Sequence, residues 1–224
     1  MASFVLVPGA GGIASYWLRV VPLLEEAGHE ARAVDLPGDD EHAGLKTYAD
    51  RVVETIGDRR VVLIAQSLGA FTAAVVCDRM PIEMLVFVNA MIPVPGETAG
   101  EWWDNTGSIA DREAGAQRGG YSPEFDIGTY FLHDVPPQII EEGGGHERAE
   151  ADIVFGEPCR FTAWPKVPIH VIAGRDDRFF PIEFQRRVAK ERLDLSVDEV
   201  AGGHLLALSN PRGLVDQILG YLGT

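Results

Sequence analysis

A chain of 224 residues is long enough for one sizeable core and short for two, and its 46% hydrophobic content is that of an ordinary folded protein rather than a disordered one. Lys and Arg number 19 against 34 Asp and Glu, a formal charge of −15, which repels phosphate backbones and anionic bilayers and argues against nucleic-acid or membrane partners. Cys77 and Cys159 have neither metal-ligand nor disulfide-scaffold spacing, no apolar run reaches a membrane span, and Met1-Ala2-Ser3 does not lead into a signal core, so the expected setting is a reducing cytoplasm.

Short apolar runs rich in Val and Ile alternate along the chain with segments of helical period. Phe4–Val7 reads as a strand, followed by a Gly-rich turn and a helix around Tyr16–Ala27; Glu30–Asp35 is the next strand, with Leu36-Pro37-Gly38 as a loop. Tyr48–Ile56 reads as a helix, Arg60–Gln66 as a strand, Leu68–Met80 as a helix and Glu83–Asn89 as a strand. After a long gap come a strand at Ile169–Ala173, a helix from Pro181 to about Arg192, a strand at Ser196–Val200 and a last helix at Pro211–Leu222. Strands without polar alternation, separated by helices, predict an α/β fold with an open, doubly wound, mostly parallel sheet covered on both faces. The irregular stretch from about Pro93 to Pro165 is rich in Gly, Pro and aromatic residues. Its length predicts an inserted cap over an active site within a single domain spanning 1–224.

Three stretches carry chemistry. Val61-Val62-Leu63-Ile64-Ala65-Gln66-Ser67-Leu68-Gly69-Ala70 is a strand, a tight turn and a helix start; the turn exposes a serine where the free N–H groups and helix dipole favour negative charge. Ala201-Gly202-Gly203-His204-Leu205 places a histidine in a glycine-rich loop after the last strand. Ile172-Ala173-Gly174-Arg175-Asp176-Asp177 again follows a strand, and either carboxylate there qualifies to orient an imidazole and stabilise it when protonated. Ser, Asp and His in this order, each at the C-terminal end of a strand, fit one geometry.

On these residues the chain resembles the α/β-hydrolase superfamily over nearly its whole length. Phe4-Val5-Leu6-Val7-Pro8-Gly9-Ala10, Gly28-His29, Val34-Asp35-Leu36-Pro37-Gly38 and Ala65-Gln66-Ser67-Leu68-Gly69 look like the branch that holds plant methyl esterases and hydroxynitrile lyases. Two positions depart from that pattern: Pro8-Gly9 stands where His-Gly is usual, and Ala65 where the elbow has glycine. The resemblance implies an α/β-hydrolase fold, a Ser67-His204-Asp177 triad and an oxyanion hole from the N–H groups of Ala10 and Leu68. It favours Asp177 over Asp176 through the spacing Gly174-x-x-Asp177 with Pro181 four residues on. Leu68 at a helix start and Ala10 in a Gly-rich loop suit the oxyanion role physically as well.

The expected activity is therefore hydrolysis of a small carboxylic ester, thioester or lactone, with Gly9, Gln66, Trp103 and Tyr130 contacting the substrate. Two rivals stand beside it. Gly9-Ala10-Gly11-Gly12-Ile13-Ala14 also fits G-x-G-x-x-A, with Asp35 about 20 residues on, as in an NAD(P)-binding oxidoreductase; but Tyr48 has Val52, not Lys, four residues later, and that reading leaves Ser67, Asp177 and His204 idle. A lyase on the same scaffold would, by the resemblance, use a threonine after the first strand and a lysine after the histidine, where Gly9 and Leu205 stand. The six histidines (His29, His42, His133, His146, His170 and His204) never pair at zinc-type spacing, so neither metal nor other cofactor is expected. His146 in Gly143-Gly144-Gly145-His146-Glu147 reads as a surface loop, and His133 beside Asp134 suits either cap packing or substrate contact. A homodimer is compatible with the sequence; beyond a small-molecule substrate it names no partner.

Overall fold

The computed structural model describes residues 1–144 and 148–223. Six parallel strands form one sheet in the order β2-β1-β3-β4-β5-β6. The inner four, β1 (Ser3–Val7), β3 (Val62–Gln66), β4 (Met84–Val88) and β5 (Ile169–Gly174), are built almost wholly of apolar residues, as burial on both faces requires. The edges, β2 (Glu30–Ala33) and β6 (Asp198–Val200), are shorter and carry charges, which blunts pairing with another chain.

The two-residue alternation of a strand divides the core. Val5, Val7, Leu63, Ala65, Leu85, Phe87 and Val171 face one way, against helices α2 (Leu45–Ile56), α3 (Gly69–Arg79) and α9 (Ile182–Leu193). Phe4, Leu6, Val62, Ile64, Val86, Val88 and Ile172 face the other way, against α1 (Val21–Glu26), α10 (Leu206–Ser209) and α11 (Pro211–Gly220). In α2, Leu45, Tyr48, Ala49, Val52 and Ile56 are the buried positions, the i, i+3, i+4, i+7 stripe of an amphipathic helix. The chain steps from β1 outward to β2 and then back past β1 to β3, so the direction of winding reverses between β1 and β3. Such a reversal opens a crevice at the carboxyl ends of the strands.

Several boundaries differ from expectation for local reasons. The helix expected over Tyr16–Ala27 is broken into a 3₁₀ turn at Ala14–Trp17 and α1, because Pro22 has no N–H to donate and is accommodated only in a first turn. The strand expected to reach Asp35 stops at Ala33, and the Asp35 carboxylate instead accepts from the Ala14 N–H at 3.0 Å. β6 starts at Asp198 rather than Ser196, and α2 begins at Leu45 rather than Tyr48.

The stretch between β4 and β5 is more regular than its composition suggests. It holds α4 (Ala99–Thr106), α5 (Ser108–Gly119), α6 (Ile127–Tyr130), α7 (Pro137–Ile139) running into a π turn at Ile140–Gly144, and α8 (Asp152–Gly156). Thr98 and Glu101 form a capping box at the start of α4, each satisfying a backbone N–H of the other's residue. Just before it, buried Glu97 pairs with Arg192 of α9, whose guanidinium also donates to the Ile92 carbonyl at 2.7 Å. Among the described residues, no helix is long and apolar enough to cross a membrane.

Candidate active site

Ser67 follows β3 directly and sits at φ 49°, in the left-handed region that non-glycine residues enter only at a cost. The surroundings enforce it: its N–H donates to the Val88 carbonyl at 3.2 Å, and its own carbonyl accepts from Ala70 and Met91. Gly69 is needed because a Cβ there would lie 2.4 Å from the Pro8 carbonyl oxygen. That approach brings the loop after β1, with Gly9 and Ala10, alongside the turn. Leu68 caps α3, so its N–H belongs to the first-turn donors that lack an intrahelical acceptor.

The fold closes the 137-residue gap between serine and histidine. His204 Nε2 lies 3.2 Å from Ser67 Oγ, and His204 Nδ1 lies 2.8 Å from Asp177 Oδ2. All three residues are buried. Of the two candidate carboxylates, it is Asp177 that reaches the imidazole. Its Oδ1 accepts from the N–H groups of Phe179 and Phe180 at 2.8 and 2.9 Å, which fixes the carboxylate plane. Asp176 turns away and accepts from the Gly202 N–H at 3.0 Å.

Asn89, which sequence reasoning passed over, joins the three loops. It is fully buried at φ 45°, its Nδ2 donates to the carbonyls of Gly203 and His204 at 3.0 Å each, and its Oδ1 accepts from the Gly174 N–H at 2.6 Å. A lone polar residue ending the wholly apolar β4 was the available signal. The segment between β4 and β5, the expected cap, adds further ties. Asp134 Oδ2 accepts from the Gly203 N–H at 2.5 Å, and Glu150 accepts from the Gly11 N–H at 2.6 Å and the Tyr48 hydroxyl at 2.5 Å. Burial raises both Glu150 and Tyr48 above their ordinary values.

Beside Ser67 lies a cavity of about 540 Å³ lined by Gly9, Ala10, Ile13, Tyr16, Gln66, Phe131 and Leu205, among others. Phe131 stacks on the His204 ring, with centroids 4.8 Å apart and planes at 17°, while Phe179 and Phe180 present their rings at steep angles to the same imidazole. Of the four residues expected to contact substrate, Gly9 and Gln66 line this cavity. Trp103 packs instead against Trp102 and Phe179, and Tyr130 is fully buried with its hydroxyl on the Ser122 carbonyl at 2.7 Å. Consecutive helical side chains diverge by about 100°, so Tyr130 faces the cap interior while Phe131 takes the place over His204. His133 lines a different cleft, behind Asp177, and burial lowers its pKa.

The acid that would suit a ribose is already engaged: Asp35 holds the Ala14 N–H and pairs with Arg148 at 2.9 and 3.1 Å. Arg148, which also lines the cavity, donates in addition to the Leu36 carbonyl at 2.6 Å, and its charge is paired with Asp35. Among the described residues, no group of three or more His, Cys, Asp or Glu is placed to hold a metal, and His146 lies outside them. Both thiols, Cys77 and Cys159, are free and pushed up to about 12 by burial.

Comparison with known proteins agrees in one direction. Residues 4–217 match the model of the alpha/beta hydrolase family. The chain is 30% identical over 249 residues to methylesterase 1 of Arabidopsis thaliana, covering 96% of this chain and 94% of that one. It is 26% identical over 251 residues to the alpha-hydroxynitrile lyase of the same plant, covering 96% and 95%. The crystal structure of a pyrethroid hydrolase from Sphingobium faniae superposes with a TM-score of 0.79 at 20% identity, covering 100% of this chain and 98% of that one, a likeness of fold.

Proposed function

Because the chain belongs to the alpha/beta hydrolase family, we propose that it is a serine esterase that cleaves a small carboxylic ester, thioester or lactone through an acyl-enzyme. The observation that carries this reading is the hydrogen-bonded chain from Ser67 Oγ through His204 to Asp177. Ser67 Oγ attacks the carbonyl carbon as His204 Nε2 takes its proton, and the Asp177 carboxylate stabilises the imidazolium. The N–H groups of Ala10 and Leu68 receive the oxyanion, typically worth about 3–4 kcal/mol of barrier each. The imidazolium then protonates the departing alkoxide; water, giving a proton to the same nitrogen, attacks the acyl carbon, and His204 returns that proton to Ser67 Oγ as the acyl C–Oγ bond breaks and the acid leaves.

Shape bears on the substrate. The acyl part has the cavity with an apolar wall of Ile13, Tyr16, Phe131 and Leu205, whereas Phe131, Phe179 and Phe180 crowd the imidazole. A small alkoxy group suits that crowding, and the similarity to a methylesterase supports it. The test is hydrolysis of nitrophenyl acetate by wild type and Ser67→Ala, with fluorophosphonate labelling in parallel. Ser67→Ala should lose about four or more orders of magnitude in kcat and all labelling; retained turnover overturns the reading. In the same assay a methyl ester should be cleaved faster than the butyl ester of the same acid, and equal rates would refute the small-alcohol preference.

A further inference from the structure

Gln66 ends β3 immediately before Ser67, is buried and lines the cavity. Its amide nitrogen lies 3.3 Å from His204 Nε2 and 3.5 Å from the His204 carbonyl. Its amide oxygen is turned to Gly9, where a Cβ would sit 2.3 Å from it, so the glycine leaves the room in which the amide lies. Neither the elbow motif nor the triad accounts for this contact.

We propose that Gln66 is a positioning residue for His204, competing with Ser67 for the single lone pair of Nε2 and withholding any acceptor from Nε2 once it is protonated. The proposal rests on the esterase reading above. With the Nδ1–H committed to Asp177 at 2.8 Å, Nε2 of the neutral ring is an acceptor with two donors in reach, the Ser67 hydroxyl at 3.2 Å and the Gln66 amide. When the serine proton arrives, Nε2 becomes a donor facing another donor. The protonated ring then has only the reacting oxygens to give its proton to. Gln66 thus weakens His204 as a base during attack and strengthens it as an acid during expulsion of the alcohol.

The other groups around the histidine are Asp177 on Nδ1, Asp134 on the Gly203 N–H, His133, whose Nε2 packs on Gly203 where a Cβ would meet it at 2.7 Å, the Tyr16 hydroxyl on the Ala207 N–H and the rings of Phe131, Phe179 and Phe180. A substitution at Gln66 leaves all of them in place, so the pH profile isolates the amide.

The experiment measures kcat/KM against pH for nitrophenyl acetate and a methyl ester, together with fluorophosphonate labelling rates, in wild type, Gln66→Met and Gln66→Glu. In Gln66→Met the acid limb should move up by about half to one pH unit, and methyl ester turnover should fall by about 3–10-fold more than that of the nitrophenyl ester, whose leaving group needs little protonation. Gln66→Glu should move the limb further in the same direction, because a carboxylate holds the proton on Nε2. If Gln66→Met does not fold, as judged by its melting curve, Gln66→Asn, one methylene short of the imidazole, takes its place with the same expected direction. Acid limbs that coincide with wild type in these variants, with only KM altered, would reduce Gln66 to a cavity wall and overturn the inference. With Ser67→Ala inert, that result would leave the esterase reading intact; turnover surviving in Ser67→Ala would strike the esterase reading itself.

Discussion

The rim of the sheet and the cap segment between β4 and β5 hold their residues by different means. At the rim, position is set by the backbone: Ser67 and Asn89 are held in left-handed conformations by hydrogen bonds to neighbouring strands, and Asp177 is oriented by two main-chain N–H groups. In the cap, position comes from rings packed on rings, Trp102 and Trp103 against Phe179, Phe180 and Phe184, and from a few side-chain ties such as Asp134 to the Gly203 N–H. Backbone constraints admit few residues and leave motifs. Ring packing is satisfied by many sequences and leaves little but composition.

The comparison predicts its largest effect at the rim. In Asp177→Asn, the amide cannot both keep the Phe179 and Phe180 N–H bonds through its oxygen and accept from His204 Nδ1. The ring then favours the tautomer with its proton on Nε2, which cannot take one from serine. A fall in kcat of about 10⁴-fold is expected. Asp176→Asn, which alters the bond to the Gly202 N–H and an exposed pairing with Arg175 at 3.9 Å, should cost less than about tenfold. Comparable losses in the two variants would mean that orientation of the loop, rather than of the imidazole, is what the acids supply.

Second in size is the root of the cap, where stability rather than chemistry is at stake. Burial alone would raise Glu97, but the bonds from Arg192 and Asn105 outweigh it and hold the carboxyl below its ordinary value of 4.5. Arg192→Met leaves a buried carboxylate without its partner and should cost about 3–5 kcal/mol in chemical denaturation. A carboxylate depressed in the folded state contributes stability that is present above its unfolded value and lost as pH falls through the lower folded one. The wild type should therefore lose Tm on acidification below about pH 4.5 more steeply than Glu97→Gln. Parallel curves would show that the pair contributes no net stability.

This division also explains what was legible in advance. An open parallel sheet, the serine turn and the histidine loop follow from Val-rich runs and glycine placement, so the candidates Ser67, His204 and the loop of Asp177 stand in the sequence itself. Asp177 itself was separable from Asp176 only by the spacing of a resembling family, since both follow the same strand. Trp103 and Tyr130 stand in the sequence on the same footing as Trp102 and Phe131, as cap aromatics that suit either core or pocket, because which face of a short helix looks inward depends on packing that the sequence does not display. Substituting these rings sharpens the contrast at intermediate size. Phe131→Leu removes the stack on His204 and should lower kcat/KM by about 3–10-fold. Trp103→Leu should leave kcat/KM unchanged per folded molecule while lowering Tm.

The smallest effect belongs to the start of α4. Thr98 accepts from the Glu101 N–H at 3.0 Å, and Glu101 accepts from the Thr98 N–H at 2.9 Å; Glu101 is exposed and Thr98 half-buried, and the pattern Thr-x-x-Glu is readable in the sequence. Thr98→Ala loses the first of these and the hydroxyl's own bond to the Glu101 carboxylate at 3.0 Å, and leaves a first-turn N–H to water, a cost of about 1 kcal/mol. Asn105, on the same helix, bonds to Glu97, so fraying at Thr98 loosens the segment that anchors the buried pair. Urea denaturation should register the loss with an unchanged m-value and unchanged kcat/KM. If Thr98→Ala instead costs as much as Arg192→Met, the cap's first helix and its buried ion pair form a single cooperative unit, and the cap is held by backbone constraints as tightly as the rim.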